Sequence, residues 1–232
     1  MSNENLLIEG IDVLCDSDET VKAIIEPRKN EIISLLEKYI NEIEKFNDAY
    51  GLVKVSNRDE LITKHILDSL APLGIISRLL PHSPQIADAG SGAGLPGIPL
   101  AIALPDCKFT LIERMGKRVG FLLNTIAILG LSNVTVEEKE LEQIDSNLFD
   151  LVTFRAFSPL EPKIQKTLFR VCKKTGIIAA YKGQREKIDK EIDSVKNFCS
   201  RTEVIPYKVP FLDEQRHLVV LSSKDSAVNP VL

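Results

Sequence analysis

The residues best suited to chemistry lie in one stretch, Asp88-Ala89-Gly90-Ser91-Gly92-Ala93-Gly94-Leu95-Pro96-Gly97. It follows a short apolar run, Gln85-Ile86-Ala87, and enters another, Ile98 to Leu104. A strand ending in an acid, then glycines at alternate positions, then a helix start makes a turn where backbone can approach a ligand without Cβ interference. Read as G-x-G-x-x-G over Gly92 to Gly97, the loop leaves Asp88 and Gly90 without a role, and Pro96 removes an N–H where a diphosphate needs helix-terminal donors. Read as D-x-G-x-G-x-G over Asp88 to Gly94, it uses every glycine and has no phosphate to cradle. The ligand is then an amino acid joined to a nucleoside, S-adenosylmethionine, with Asp88 and the glycine carbonyls facing its ammonium group. Glu113 ends Lys108-Phe109-Thr110-Leu111-Ile112-Glu113, 19 residues beyond Gly94, close to the offset of about 20 at which an acid reaches ribose hydroxyls. A nicotinamide or flavin site and a purely structural glycine turn are the competing readings.

Such a loop needs a strand before it and a helix after it, and the chain supplies both in alternation. Strands are predicted at 85–89, 108–113, 134–138, 149–154, 176–181, 203–208 and 217–222, and helices at 97–103, 117–129, 160–173 and 185–199. Alternation of this kind predicts a parallel sheet with crossover helices. Gly130 and Gly176 read as helix stops. The last two strands read as a hairpin, so the layout is that expected of the class I methyltransferase fold, a Rossmann-like α/β architecture with a seven-stranded, mostly parallel sheet. Upstream, Ile32, Leu35, Leu36, Tyr39, Ile40, Ile43 and Phe46 recur at three and four after Pro27 and predict a long amphipathic helix. A second helix is expected over 59–70, with Leu61, Ile62, His65, Ile66 and Leu70 on its buried side. Residues 1 to about 25 are acidic and weakly periodic, and read as a loosely packed lead-in. Residues 1–80 are thus expected to form a helical cap, and 81–232 one compact domain carrying the loop.

Composition bounds the rest. At 232 residues the chain is long enough for one sizeable core, and 44% hydrophobic with 27% charged residues is ordinary for a globular protein. The longest uncharged apolar stretch, Gly94 to Leu104, is broken by prolines and too short to span a bilayer. The first 25 residues carry six acids and one Lys, the wrong sign for a signal or transit peptide, so a cytoplasmic, membrane-free protein is expected. Cys15, Cys107, Cys172 and Cys199 form no C-x-x-C pair and read as reduced, mostly buried thiols, with no metal site. Residues 1–60 hold 14 acids against 7 bases, whereas 160–190 hold 9 bases against 3 acids. Attraction to phosphates is local, so an acidic protein with one basic face can bind nucleic acid; solvated helix surface is the alternative reading.

After the fourth strand the chain reads Thr153-Phe154-Arg155-Ala156-Phe157-Ser158, without the Asn/Asp-Pro-Pro-aromatic motif that holds an exocyclic amine. Here, and in His65-Ile66-Leu67-Asp68-Ser69, Gly94-Leu95-Pro96-Gly97-Ile98-Pro99-Leu100, Gly116-Lys117-Arg118-Val119, Lys182-Gly183 and Arg216-His217-Leu218-Val219-Val220, the sequence resembles the bacterial small-subunit ribosomal RNA methyltransferase G family. The matching stretches run in order from about residue 30 to 221. The resemblance implies methyl transfer to N7 of a guanine in 16S rRNA. It also implies donor binding by Gly90 and Leu95, an adenine-framing pair at Leu141 and Glu142, and a role for Arg155 at the donor and guanine. The register at 140–142 could slip by two. Two departures stand out: Ala-Tyr-Gly-Leu-Val replaces the usual Asn-Leu-Thr, and Glu113 the usual Asp.

Guanine N7 carries a lone pair and no proton, so no general base is expected. His65, with Asp68 three residues on, reads as a hydrogen-bonded structural pair. Lys182 and Arg216 follow strands on the basic side, and the resemblance favours RNA contact over solvation. The partner implied is 16S rRNA or the small ribosomal subunit, bound by a monomer. A small-molecule methyltransferase and a non-catalytic RNA-binding protein retaining the fold are the alternatives.

Overall fold

The computed structural model describes residues 3–224. Seven strands, β1 (Gln85–Ala89), β2 (Lys108–Glu113), β3 (Val134–Glu138), β4 (Phe149–Arg155), β5 (Cys172–Lys182), β6 (Cys199–Val209) and β7 (Leu212–Ser223), form one sheet in the order β3-β2-β1-β4-β5-β7-β6. β1 to β5 run parallel, and β7 pairs antiparallel with both β5 and β6. The strand order reverses between β1 and β4. In open α/β sheets the crevice beyond the strand C-termini at such a point is where ligands bind. Register brings the chemistry there: Asp88 pairs with Leu111 and Thr153, so Glu113 and Arg155 emerge two residues further along the flanking strands.

Successive side chains of a strand face opposite sides, so the sheet builds two cores. Ile86, Leu111, Leu151 and Val220 face one apolar cluster, shared with α6 (Gly97–Ala103), α7 (Gly116–Leu129) and the N-terminal helices. Ala87, Ile112, Val152 and Val219 face the other, closed by α8 (Pro162–Val171) and α9 (Arg185–Val195). Gly130 ends α7 in the left-handed region at φ 66°, as a helix stop should. Gly176 does not stop a helix. It lies within β5, where the register shifts against β4, and a Cβ there would sit 2.6 Å from the Phe149 carbonyl oxygen.

The largest departure from expectation is the N-terminus. Residues 3–25 are not a loose lead-in but two helices, α1 (Asn3–Ser17) and α2 (Glu19–Ile25), burying Leu7, Ile11, Leu14, Val21 and Ile25. The apolar spacing of four and three is present, but the acids between dominate the composition. The break is set by Asp18, whose side chain caps α2 at the Thr20 N–H and pairs with Arg78 at 3.1 Å. Pro27 begins a 3₁₀ turn, after which α3 (Lys29–Tyr50) buries Ile32, Leu36, Tyr39, Ile40 and Ile43. The helix expected over 59–70 spans 58–70 as α4, with a π-helical middle at Ile62–Leu67, and α5 (Leu73–Leu79) follows. A π-bulge rotates the side chains after it relative to an α-helix and often marks a functional position; here it holds His65. All four cysteines are buried free thiols. Among the described residues no helix is long and apolar enough to cross a membrane, and no cluster of metal-ligating side chains occurs.

Candidate functional site: two cavities with a common wall

The glycine loop is wound back onto β2. Gly90, Gly92 and Gly94 have φ of 68°, 58° and 91°, a region other residues rarely adopt. With that freedom, the N–H groups of Gly90 and Ser91 both donate to the Ile112 carbonyl, at 2.9 and 3.1 Å. Glu113 fixes the turn from the other side: its carboxylate accepts from the N–H groups of Gly92 and Met115, both at 2.9 Å. A carboxylate has about four acceptor positions, so two remain for a ligand.

Asp88 is fully buried beneath the loop. One oxygen accepts from the Gly97 N–H at 3.0 Å, and the other has no partner. Burial raises its pKa from the ordinary 3.8 to about 7. The loop is also held from outside the sheet, where the buried Tyr39 hydroxyl of α3 donates to the Ala93 carbonyl at 2.7 Å.

A cavity of about 410 Å³ opens beside the loop, lined by Gly90, Glu113, Met115, Arg118, Leu141 and Glu142 among others. Leu141 and Glu142 sit on a short turn secured by Arg170, which donates to the carbonyls of Ile144, Leu141 and Glu142 at 2.7, 3.2 and 3.1 Å. The two registers open at 140–142 meet in one place: Lys139 through Glu142 all border this space. Asp88, Gly92 and Leu95 do not. They shape the loop from below, Leu95 being packed into the apolar core.

A second cavity, of about 510 Å³, is lined by Lys64, Asp68, Arg155, Tyr181, Tyr207 and Arg216 among others. Ala156, Phe157 and Ser158 border both cavities. Phe157 is the divider; its ring lies so close to Gly90 that a Cβ there would sit 2.2 Å from it.

Arg155, for which the resemblance implies a role at the donor and guanine, points into this second cavity. It donates to the Lys64 carbonyl at 3.0 Å, to Asp68 at 2.9 Å and to His65 Nδ1 at 2.7 Å. The expected His65–Asp68 bond is therefore replaced by an arginine bridge. Since Nδ1 accepts from a cation, His65 is neutral, and burial with the neighbouring Arg155 charge lowers its pKa to about 3. Asp68 also accepts from Tyr207 at 3.1 Å and pairs with Arg216 at 3.3 Å, so one buried carboxylate gathers two guanidiniums and a phenol.

Lys182 and Arg216, expected on an RNA-facing surface, belong to the same wall. Lys182 pairs with Glu191 at 2.7 Å and donates to the Ser158 carbonyl at 3.2 Å, and Arg216 also pairs with Glu214 at 2.9 Å. Sequence reasoning assigns no role to Arg118, Asp68, Phe157 or Tyr207 beyond the Asp68 pairing with His65. The first three lie within the stretches that carry the family resemblance; Tyr207 is one aromatic in an edge strand and leaves no signal.

The model of the rRNA small subunit methyltransferase G family, GidB, matches residues 32–219. A ribosomal RNA small subunit methyltransferase G from Treponema pallidum is 39% identical over 234 residues, covering 97% of each chain. One from Vibrio campbellii is 36% identical over 209 residues, covering 90% of this chain and 94% of its own. Among solved structures, a SAM-dependent methyltransferase from Aquifex aeolicus superposes with a TM-score of 0.55 at 18% identity, over 78% of this chain and 97% of its own. A SAM-dependent O-methyltransferase from Thermotoga maritima gives 0.57 at 14%, over 83% and 73%. The fold is that of the class I methyltransferases, and the chain belongs to the rRNA small subunit methyltransferase G family.

Proposed function

We propose that the chain transfers a methyl group from S-adenosylmethionine to N7 of a guanine in 16S rRNA. The observation that carries this reading is the pair of cavities meeting at Ala156, Phe157 and Ser158, one beside the glycine loop and one walled by arginines and tyrosines. A donor in one cavity and a base in the other would meet at this common wall, and Phe157 must turn aside for the methyl and N7 to come into line.

The residues present suit the donor. Glu113 keeps acceptor capacity for ribose hydroxyls, Leu141 and Glu142 flank the space for an adenine, and Gly90 borders the cavity with the Phe157 ring packed against it. Asp88, buried under the loop with one oxygen unpartnered, would favour an ammonium above it in its ionised form, which gains ground as pH rises past about 7. Gly92 and Leu95 hold that loop in shape. When bound, the donor supplies an electrophilic sulfonium methyl.

The guanine N7 lone pair forms the new N–C bond as the S–C bond breaks, with no proton to remove. His65 is not poised as a base, because its Nδ1 is occupied by Arg155. The chain's work is positioning, and alignment of two reactants can lower a barrier by about 7–11 kcal/mol. In the second cavity Arg155, held by Asp68 and His65, presents a fixed cation edge to the base, and Tyr181 and Tyr207, in edge contact with centroids 6.2 Å apart, form an apolar wall. Lys182 and Arg216 at its rim contribute positive potential for RNA phosphate. N7 lies in the deep, narrow major groove of A-form RNA, so the target guanine enters from a loop or splayed from its helix. Residues 1–80 serve as a cap that braces the loop, and the enzyme works as a cytoplasmic monomer.

The test is a comparison of 16S rRNA nuclease fragments, by mass, from cells with and without the gene. One 7-methylguanosine should disappear without it and return when the wild-type chain is restored; an unchanged methylation map refutes the reading.

A further inference from the structure

The sequence carries nine bases between residues 160 and 190; Lys182 lines the second cavity, and Arg170 secures the turn beside the donor cavity. Two more follow one line with Arg170. On α8, Gln165, Leu168 and Val171 are buried, while Lys163 and Lys166 share the outward side with Arg170 at the spacing of one helical face. The helix starts beside the donor cavity, where Ile164 is part of the lining, and is about 15 Å long at 1.5 Å per residue.

At its far end lies a separate cavity of about 510 Å³, bordered by Lys166, Phe169, Lys173, Lys174 and Phe198 among others. Phe198 is 38% exposed, and the Lys166 ammonium stands 5.5 Å from its ring centroid. Lys173 is neutralised by Asp150 at 2.8 Å, but no carboxylate lies within ion-pair distance of Lys163, Lys166 or Lys174 among the described residues.

An exposed aromatic ring beside uncompensated lysines is the arrangement that binds single-stranded nucleic acid: a base stacks on the ring and the flanking phosphates meet the ammonium groups. We infer that this cleft is a second RNA contact, in which Phe198 stacks an unpaired base and Lys166 and Lys174 hold the neighbouring phosphates, with Lys163 on the path toward the donor cavity. This rests on the proposed RNA substrate and adds to it: recognition involves a strand segment outside the two cavities that meet at Phe157.

The experiment measures binding of the full chain to protein-free 16S rRNA across a salt series, together with affinity for S-adenosylmethionine. The variants are Lys166→Gln with Lys174→Gln, Phe198→Ala, and, as a control, Lys187→Gln with Lys190→Gln, two exposed lysines of α9 outside the cleft. The cleft lysine pair should weaken RNA binding about tenfold and reduce the slope of log affinity against log salt by about 1.4, since each single-strand phosphate contact accounts for about 0.7. Phe198→Ala should weaken binding about tenfold with the slope unchanged, because stacking releases no counterions. The control pair should stay within about twofold, and donor affinity should be the same in all four proteins. Equal losses for the cleft and control pairs, or an unaffected Phe198→Ala, would overturn the inference while leaving the proposed function standing. A wild-type chain that shows no salt-dependent RNA binding would remove both.

Discussion

The two cavities are built in different ways. The one beside the glycine loop is made largely of backbone: three left-handed glycines, N–H groups turned onto Glu113, and a turn held by its carbonyls. Its parts come from short stretches just after β1, β2 and β3. The other is made of side chains: Arg155 from β4, Tyr207 from β6 and Arg216 from β7 joined through the Asp68 carboxylate of α4, with Tyr181 of β5 beside them, its hydroxyl donating to the Ser69 carbonyl. Backbone sites depend on where glycine is permitted, whereas side-chain sites depend on charge balance. Substitutions in the two should therefore fail differently.

The largest effect is expected from Gly92→Val. A β-branched residue at φ 58° is strained by about 1–2 kcal/mol, and turning the peptide to relieve the strain releases the Gly92 N–H from Glu113. Affinity for S-adenosylmethionine by calorimetry should fall more than about 100-fold while the fold persists in circular dichroism. Affinity within a few-fold of wild type would mean that the loop does not shape the donor site.

Arg155→Ala should come next and should separate the cavities. Because the side chain faces the second one, we expect rRNA methylation to drop about 100-fold with donor affinity changed less than about threefold. Asp68 retains Tyr207 and Arg216, so the stability loss should be about 1–3 kcal/mol. Loss of donor binding in parallel with activity would return Arg155 to the donor site that the family resemblance implies for it.

The same contrast explains which features are legible in the sequence. Strands β1, β2 and β3 and helix α6 have the bounds that the sequence predicts, because each is a local pattern with glycine or a charged residue at its end. The donor loop is legible for the same reason, since a ligand turn is local chemistry. The Arg155–Asp68–Arg216 cluster is not: its members are up to 148 positions apart, and nothing in Thr153-Phe154-Arg155 reveals which way the guanidinium turns. The N-terminal helices escape a sequence reading because their buried face is narrow and their acids many. β5, β6 and β7 are longer than predicted: the added residues at their ends, such as Lys173, Lys174, Ser200, Arg201, Asp213 and Glu214, are polar and mostly solvent-facing, and hide the alternation.

Titration offers a finer comparison, because the two regions bury groups whose pKa values move in opposite directions. Asp88 has a native pKa of about 7 against 3.8 unfolded, so between pH 4 and 7 the native state holds a proton that unfolding releases, and this residue's contribution falls as pH rises through that window. His65 has a native pKa of about 3 against 6.5 unfolded; there the unfolded state takes up the proton, and its contribution is lost as pH falls below 6.5. Urea midpoints at pH 5 and 7.5 should show the opposition. Asp88→Asn should be stabilised relative to wild type more at pH 7.5 than at 5, and His65→Gln more at pH 5 than at 7.5, with shifts on the order of a few kcal/mol. Variants with identical pH profiles would show that neither group is buried in the form described.

The smallest effect probes how far the backbone cavity depends on a side chain outside it. Tyr39 belongs to the N-terminal helices, yet its hydroxyl reaches the Ala93 carbonyl between two of the loop glycines. Tyr39→Phe keeps the ring packing and removes only that bond, leaving a buried carbonyl short of a donor at a cost of about 1–3 kcal/mol. Part of that cost falls on the whole fold and part on the loop. If the cap braces the loop, donor affinity should drop a few-fold beyond what the global loss of stability explains, because glycines with positive φ have many alternative conformations once released. Should the urea midpoint fall while donor affinity stays unchanged, the hydroxyl serves folding alone, and the donor site would be set entirely by the loop's own turn and Glu113.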